Sequence, residues 1–148
     1  MAFVADASMT LAWYLRDENA EVANRVRERL LGEGICVPAH WALEICNALL
    51  AAARRGRITM QELRELVPDL RLLPETIDHQ TDAAAWSATL DLAEEHRLTI
   101  YDAAYLELAL RRKLPLATLD KQLHGAALAL GIALVPEIKM TTARPGKP

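Results

Sequence analysis

Cysteine is nearly absent: Cys36 and Cys46 are the only two in 148 residues, and they form no C-x-x-C pair. That excludes a disulfide framework, and both are expected as reduced core residues of a cytoplasmic protein. Glycine is sparse at six residues, aromatics make up 5%, and 52% of the chain is hydrophobic, which excludes a fibrous repeat and disorder. A surplus of one charge is also missing. Seventeen Lys and Arg against twenty Asp and Glu leave a net charge of −3, so bulk charge gives no argument for nucleic acid. A local basic patch beside an acidic metal centre stays compatible with that balance. Long apolar runs are lacking too. Gly125 to Val135 is about half of the ~20 residues a membrane span needs, so no membrane partner is expected. Asp6 interrupts the first apolar stretch, and no basic segment precedes it, so no signal peptide is expected.

What is present alternates short β-rich runs with longer helical patterns. Phe3-Val4-Ala5 reads as a strand ending at Asp6, followed by a helix through Leu15 and a second from about Asn19 to Leu31. Ile35-Cys36-Val37 is a second strand, and His40 to Arg55 a long helix closed by Gly56. Thr59-Met60-Gln61-Glu62 has capping-box form and opens a helix ending near Pro68. Leu72 to Ile77 is a third strand, placed at an edge by Pro74. Helices over Thr81–Glu95 and Asp102–Lys113 follow, then a strand over Leu114–Thr118, a helix over Lys121–Leu130 and a fifth strand over Ile132–Val135. Thr141 to Pro148 has no apolar periodicity and is expected to be loose. Strands separated by helices imply an α/β fold with a parallel sheet, whose ligands bind beyond the carboxyl ends of the strands.

Four acids fall at that edge. Asp6 ends the first strand, Asp120 follows the fourth, and Asp102 opens the helix preceding the fourth. Each could simply cap a helix. Glu44 is different, because it and Asn47 are the only polar residues of the helical stretch WALEICNALLAAA and share one face. Glu44 could pair with Arg54 or Arg55, but a shared site of oxygen ligands accounts for all four acids together. Crowded carboxylates call for a counter-charge, and without Cys or His in metal spacing a hard ion, Mg²⁺ or Mn²⁺, suits them. His40, His79, His96 and His124 are scattered, and no G-x-S-x-G elbow supports serine chemistry.

The segments VADASMTLAWYL, PAHWALEICNALLAAARRGRI, TIYDAAYLELALRRKLPLATLDKQL and LGIALV carry a family resemblance. With E-x-x-N, Y-D-A and T-x-D in order, the chain resembles the PIN-domain ribonucleases, in particular the VapC-type toxins of toxin–antitoxin pairs, over roughly Phe3 to Pro136. The resemblance implies a three-layer α/β/α PIN-like fold over residues 1–138, with a five-stranded parallel sheet ordered 3-2-1-4-5 and a flexible tail over 139–148. It implies a Mg²⁺-dependent endoribonuclease, with Mn²⁺ able to substitute, whose catalytic and metal-binding residues are Asp6, Glu44, Asp102 and Asp120. Ser8, Asn47 and Thr118 would orient those carboxylates. Water would attack the phosphodiester, leaving a 5′-phosphate and a 3′-hydroxyl. The implied partners are RNA, a VapB-type antitoxin and a second copy of the chain.

Arg54, Arg55 and Arg57 after the Glu44 helix, and Arg111, Arg112 and Lys113 after the Asp102 helix, are candidates for RNA contact. Cations at helix C-termini are also favoured by the dipole alone. Three alternatives stand against a nuclease. A phospho-receiver domain would want adjacent acids near the first strand and a Lys after the last, whereas Asp6 stands alone and Lys139 lies well beyond. An acidic protein that only binds partners would keep the quartet without metal-dependent activity. A dehalogenase-type phosphatase would need D-x-D where Asp6-Ala7-Ser8 stands.

Overall fold

The computed structural model describes residues 1–15 and 20–136. The expected tail over 139–148, Lys139 and the start of the second helix at Asn19 lie outside the described residues. Four strands, β1 (Phe3–Ala5), β2 (Ile35–Val37), β3 (Glu75–Ile77) and β4 (Leu116–Ala117), form one parallel sheet in the order β3-β2-β1-β4. The helices are α1 (Ala7–Ala12), α2 (Ala20–Glu33), α3 (Trp41–Arg54), α4 (Met60–Arg71), α5 (Thr81–Ala85), α6 (Ala88–His96), α7 (Ile100–Arg112) and α8 (Lys121–Ala129).

Every residue of β1, β2 and β4 is buried, as befits parallel strands covered by helices. The helices pack in two groups. α1 rests on α2 and α3, and α3 on α4; α5, α6 and α8 gather around α7, which lies on β1 and β4. Enclosed in this way, α7 buries seven consecutive residues, Ala103 to Ala109. No helix among the described residues is long and apolar enough to cross a membrane.

The fifth strand contracts to a single parallel bridge between Leu116 and Leu134. Leu116 N–H donates to Ala133 and Val135 N–H donates to the Leu116 carbonyl, both at 2.9 Å. With only two residues in β4 there is little ladder to extend, and Pro136 brings no donor. The segment still lies where the 3-2-1-4-5 order puts it. β3 is shorter than the expected run from Leu72, but it is the edge strand, and the Pro74 carbonyl accepts Ile35 N–H at 2.9 Å.

Other boundaries move for identifiable reasons. α1 stops at Ala12 rather than Leu15, closing in turns through Trp13 N–H to Thr10. α2 runs through Gly32 and ends at Gly34, where φ is +73° and an added Cβ would stand 3.0 Å from the Pro74 carbonyl. α4 continues past Pro68, whose ring faces solvent, because Leu66 and Leu70 prolong the stripe against the core. The cost of an interior proline, about 3 kcal/mol for the lost hydrogen bond and the ring clash together, is outweighed there. The expected helix over Thr81–Glu95 breaks into α5 and α6 at Ser87, with φ −136° and ψ −91°. Cys36 is buried as expected, but Cys46 is exposed, because only the Trp41, Ile45, Leu49 and Ala52 face of α3 is covered.

Candidate active site

The pairing of β1 with β4 sets the first acid. Asp6 N–H still donates to the Ala117 carbonyl at 3.1 Å, continuing the ladder one residue past the strands. Its side chain then caps α1, with Oδ1 accepting Met9 N–H at 2.9 Å and the Ser8 hydroxyl at 2.7 Å. Oδ2 accepts the Thr118 hydroxyl from across the sheet. A second layer locks both hydroxyls: Leu119 N–H donates to Ser8 Oγ at 3.1 Å and Asp120 N–H to Thr118 Oγ1 at 3.0 Å. Asp6 is only 3% exposed. Burial drives its pKa up to about 6; the Thr118, Met9 and Ser8 hydrogen bonds pull the other way, and the Asp102 charge adds to the rise.

Asp102 is not a cap. Thr99 takes that role, its hydroxyl accepting Asp102 N–H at 3.1 Å, so the carboxylate on the first turn of α7 remains available. Burial raises its pKa, reinforced by the charges of Asp120 and Glu44; Thr99 and His40 oppose the rise. Asp120 caps α8, with Oδ1 accepting Leu123 N–H at 2.9 Å. The four acids are thus electrostatic neighbours, although they come from β1, α3, α7 and the loop after β4.

Glu44 corrects one expectation. It is not sunk in an apolar helix: its side chain is 27% exposed and the neighbouring Leu43 is 74% exposed. Neither Arg54 nor Arg55 pairs with it. Instead His40 Nε2, one turn earlier, stands 2.8 Å from Glu44 Oε1 and 3.1 Å from the Tyr101 carbonyl. The short approach to Glu44 is not an aligned hydrogen bond, and buried Oε1 has no hydrogen-bond partner. The wholly buried Tyr105 hydroxyl is likewise unpartnered, and burial with the nearby Glu44, Asp6 and Asp102 charges keeps it protonated. Asn47 is exposed on α3 and makes no side-chain hydrogen bond among the described residues.

No Lys or Arg among the described residues forms an ion pair with any of the four acids. Nor do three His, Cys, Asp or Glu side chains among the described residues close on one point tightly enough to hold an ion. The donor set nevertheless suits a hard divalent ion: every candidate ligand is a carboxylate oxygen, and Glu44 Oε1 is buried without a hydrogen.

The basic candidates separate. Arg111 is committed elsewhere, clasping Asp78 at 2.7 and 3.2 Å and Glu107 at 2.7 and 3.1 Å. Arg112 reaches Cys36 Sγ at 3.5 Å. Lys113 lines a hollow with Met1 and Pro115, which precede β1 and β4 and so lie at the opposite sheet edge from the acids. Arg54, Arg55 and Arg57 are exposed, and none of them pairs with a carboxylate among the described residues. The sequence pattern assigns no role to His40 or Tyr105, and it places Arg111 with the RNA-contact candidates rather than with Asp78 and Glu107. The i,i+4 spacings His40/Glu44 and Glu107/Arg111 were the available signals.

A PIN domain model matches residues 3–128. Ribonuclease VapC3 of Pyrobaculum aerophilum is 32% identical over 123 residues, covering 83% of this chain and 92% of that protein. Ribonuclease VapC3 of Mycobacterium tuberculosis is 31% identical over 125 residues, covering 83% and 85%. The crystal structure of PAE2754 from Pyrobaculum aerophilum superposes with a TM-score of 0.62 at 27% identity, covering 85% of this chain and 86% of that one.

Proposed function

The chain belongs to the PIN-domain family, and on that premise we propose that it is a metal-dependent endoribonuclease, the toxin of a VapBC-type toxin–antitoxin pair. One observation carries the site: at the carboxyl edge of the sheet Thr118 ties Asp6 to the Asp120 backbone, and His40 stands between Glu44 and the Tyr101 carbonyl beside Asp102, with no Lys or Arg among the described residues paired to any of the four acids. Asp6, Glu44, Asp102 and Asp120 would hold Mg²⁺, with Mn²⁺ able to replace it. When bound, the ion supplies charge neutralisation at the phosphate and a water acidic enough to attack it.

The chain's own contribution is positioning. Asp6 is fixed by three donors, so its carboxylate cannot turn away when RNA arrives. Ser8 and Thr118 orient it and are themselves held by backbone N–H groups. Asn47, on the same face of α3 as Glu44, is assigned the corresponding role toward the RNA side of the site. His40 and Tyr105 flank Glu44 and restrict its rotamers. Cleavage by water would leave a 5′-phosphate and a 3′-hydroxyl.

A VapB-type antitoxin would silence the site by presenting an arginine to the acids, since a guanidinium offers forked donors to paired carboxylates. The active form would be a homodimer in the cytoplasm. The direct test is cleavage of single-stranded RNA by the purified protein. EDTA should abolish it and Mn²⁺ or Mg²⁺ should restore it, with products that RNA ligase joins directly, 5′-phosphate to 3′-hydroxyl, without prior kinase or phosphatase treatment. Activity undiminished in EDTA would refute the metal assignment. Coexpression with the adjacent small gene should rescue growth if that gene encodes the antitoxin.

A further inference from the structure

A cleft of about 350 Å³ opens between α1 and α3, lined by Leu11, Ala12, Leu15, Ala48, Ala52 and Leu119, with Ser8 at one end and Arg55 and Arg57 at the other. Its size falls within the roughly 300–1,000 Å³ usual for small-ligand sites. Its two ends have opposite character. Ser8 Oγ is 2.7 Å from Asp6 Oδ1, so the near end abuts the acidic centre through one hydrogen bond. The far end is cationic by construction. Gly56 takes φ +75°, Gly56 N–H donates to Ala53 and Arg57 N–H to Ala52, both at 3.0 Å, a Schellman ending that brings Arg55 and Arg57 to the same cleft. Ala48 and Ala52, one turn apart, keep the intervening wall of α3 shallow.

We propose that this cleft is a subsite for the nucleotide next to the scissile bond, its base between α1 and α3 and its phosphate on Arg55 and Arg57. The inference rests on the RNA-cleavage reading above. A free anion would need the guanidinium groups but not the apolar walls, and an apolar peptide would need the walls but not the cations. A nucleotide uses both, in the combination of cationic track and flat apolar contact that single-stranded nucleic acid favours. The walls are aliphatic rather than aromatic, so the base is held by shape. Beyond Arg57 a second hollow includes Glu62, which repels a polyanion and ends the track there.

The test uses the full chain carrying Asp102→Asn, which leaves RNA intact, and fluorescein-labelled single-stranded oligoribonucleotides read by anisotropy. Arg55→Gln/Arg57→Gln should raise Kd on the order of tenfold and flatten the log Kd against log salt slope by about 1.4, two contacts at ~0.7 each. Arg25→Gln, on exposed α2, should change neither. Ala48→Leu fills the cleft while keeping the charges. It should bind an oligonucleotide with one abasic position as well as the intact one, whereas the unfilled cleft should prefer the intact one several-fold. Normal affinity, normal salt slope and an unchanged abasic penalty in these variants would overturn the subsite and leave the nuclease reading standing. Failure of any oligoribonucleotide to bind the parent protein would overturn both. The two exposed arginines give the answer alone if Ala48→Leu does not fold.

Discussion

Among the described residues two groups of carboxylates are finished in opposite ways. Asp78 and Glu107 are buried, but Arg111 closes on both with four hydrogen bonds. Burial alone would raise Asp78; the Arg111 and Thr81 hydrogen bonds and the guanidinium charge pull its pKa below the ordinary value. Asp6 is buried to the same degree with hydroxyl and amide donors only, and its pKa rises to about 6. One cluster brings its own cation and joins α7 to the end of β3. The other is left short of positive charge at the edge where ligands of α/β sheets bind. Incomplete neutralisation, rather than acidity, marks the candidate active site.

The largest expected effect breaks the open cluster. Asp6→Asn or Asp102→Asn should abolish RNA cleavage, well beyond the roughly 10–100-fold cost of losing an outer-shell partner. The melting temperature of the metal-free protein should hold or rise, because a repelled charge is removed. Retained cleavage by folded Asp102→Asn would dissolve the distinction between the clusters. Arg111→Ala opens the closed cluster and should cost about 3–5 kcal/mol in urea denaturation, since two buried carboxylates lose their cation. A loss below ~1 kcal/mol would mean Arg111 is an ordinary surface residue.

Metal and pH sharpen the contrast further. The pKa of folded Asp6 lies above the ordinary aspartate value, so the stability it contributes is fully present below that ordinary value and is lost as pH rises through about 6. Added Mn²⁺ needs the ionised form and works in the opposite direction. At pH 7.5 and one hundred times Kd it should stabilise by about 2.7 kcal/mol, a rise of roughly 5–10 °C. The gain should fade as pH drops through 6, as differential scanning fluorimetry would register. In Asp6→Asn both pH trends should flatten.

The strands and the positions of the acids were legible because hydrophobic runs and Asp residues alternate along the chain, whereas the order of the strands was implied by the family resemblance. Phe3–Ala5 and Ile35–Val37 matched to the residue. The fifth strand was not, because an apolar run of the right length does not reveal that its neighbour β4 has only two residues to pair with. The break at Ser87 and the passage through Pro68 were decided by packing on α7 and the core, which local pattern does not encode. Within the site, acid identity was readable but exposure was not. The run WALEICNALLAAA looks buried all round, whereas in the fold Leu43 faces outward. Arg111 looked like a helix-terminal cation available to phosphate; only the fold shows Asp78, 33 positions away, beneath it.

The bond from Thr118 to Asp6 joins residues 112 positions apart. Contacts of such separation form late, since most of the chain must be ordered before they can be made. During synthesis Asp6 emerges early, but its partners on β4 and the α8 cap follow only after nearly the whole domain. A ribosome-bound or prematurely released fragment ending before Thr118 therefore carries Asp6, Glu44 and Asp102 without the hydroxyl that fixes the first of them. The fold thereby delays completion of the acidic edge until translation of the domain is almost done.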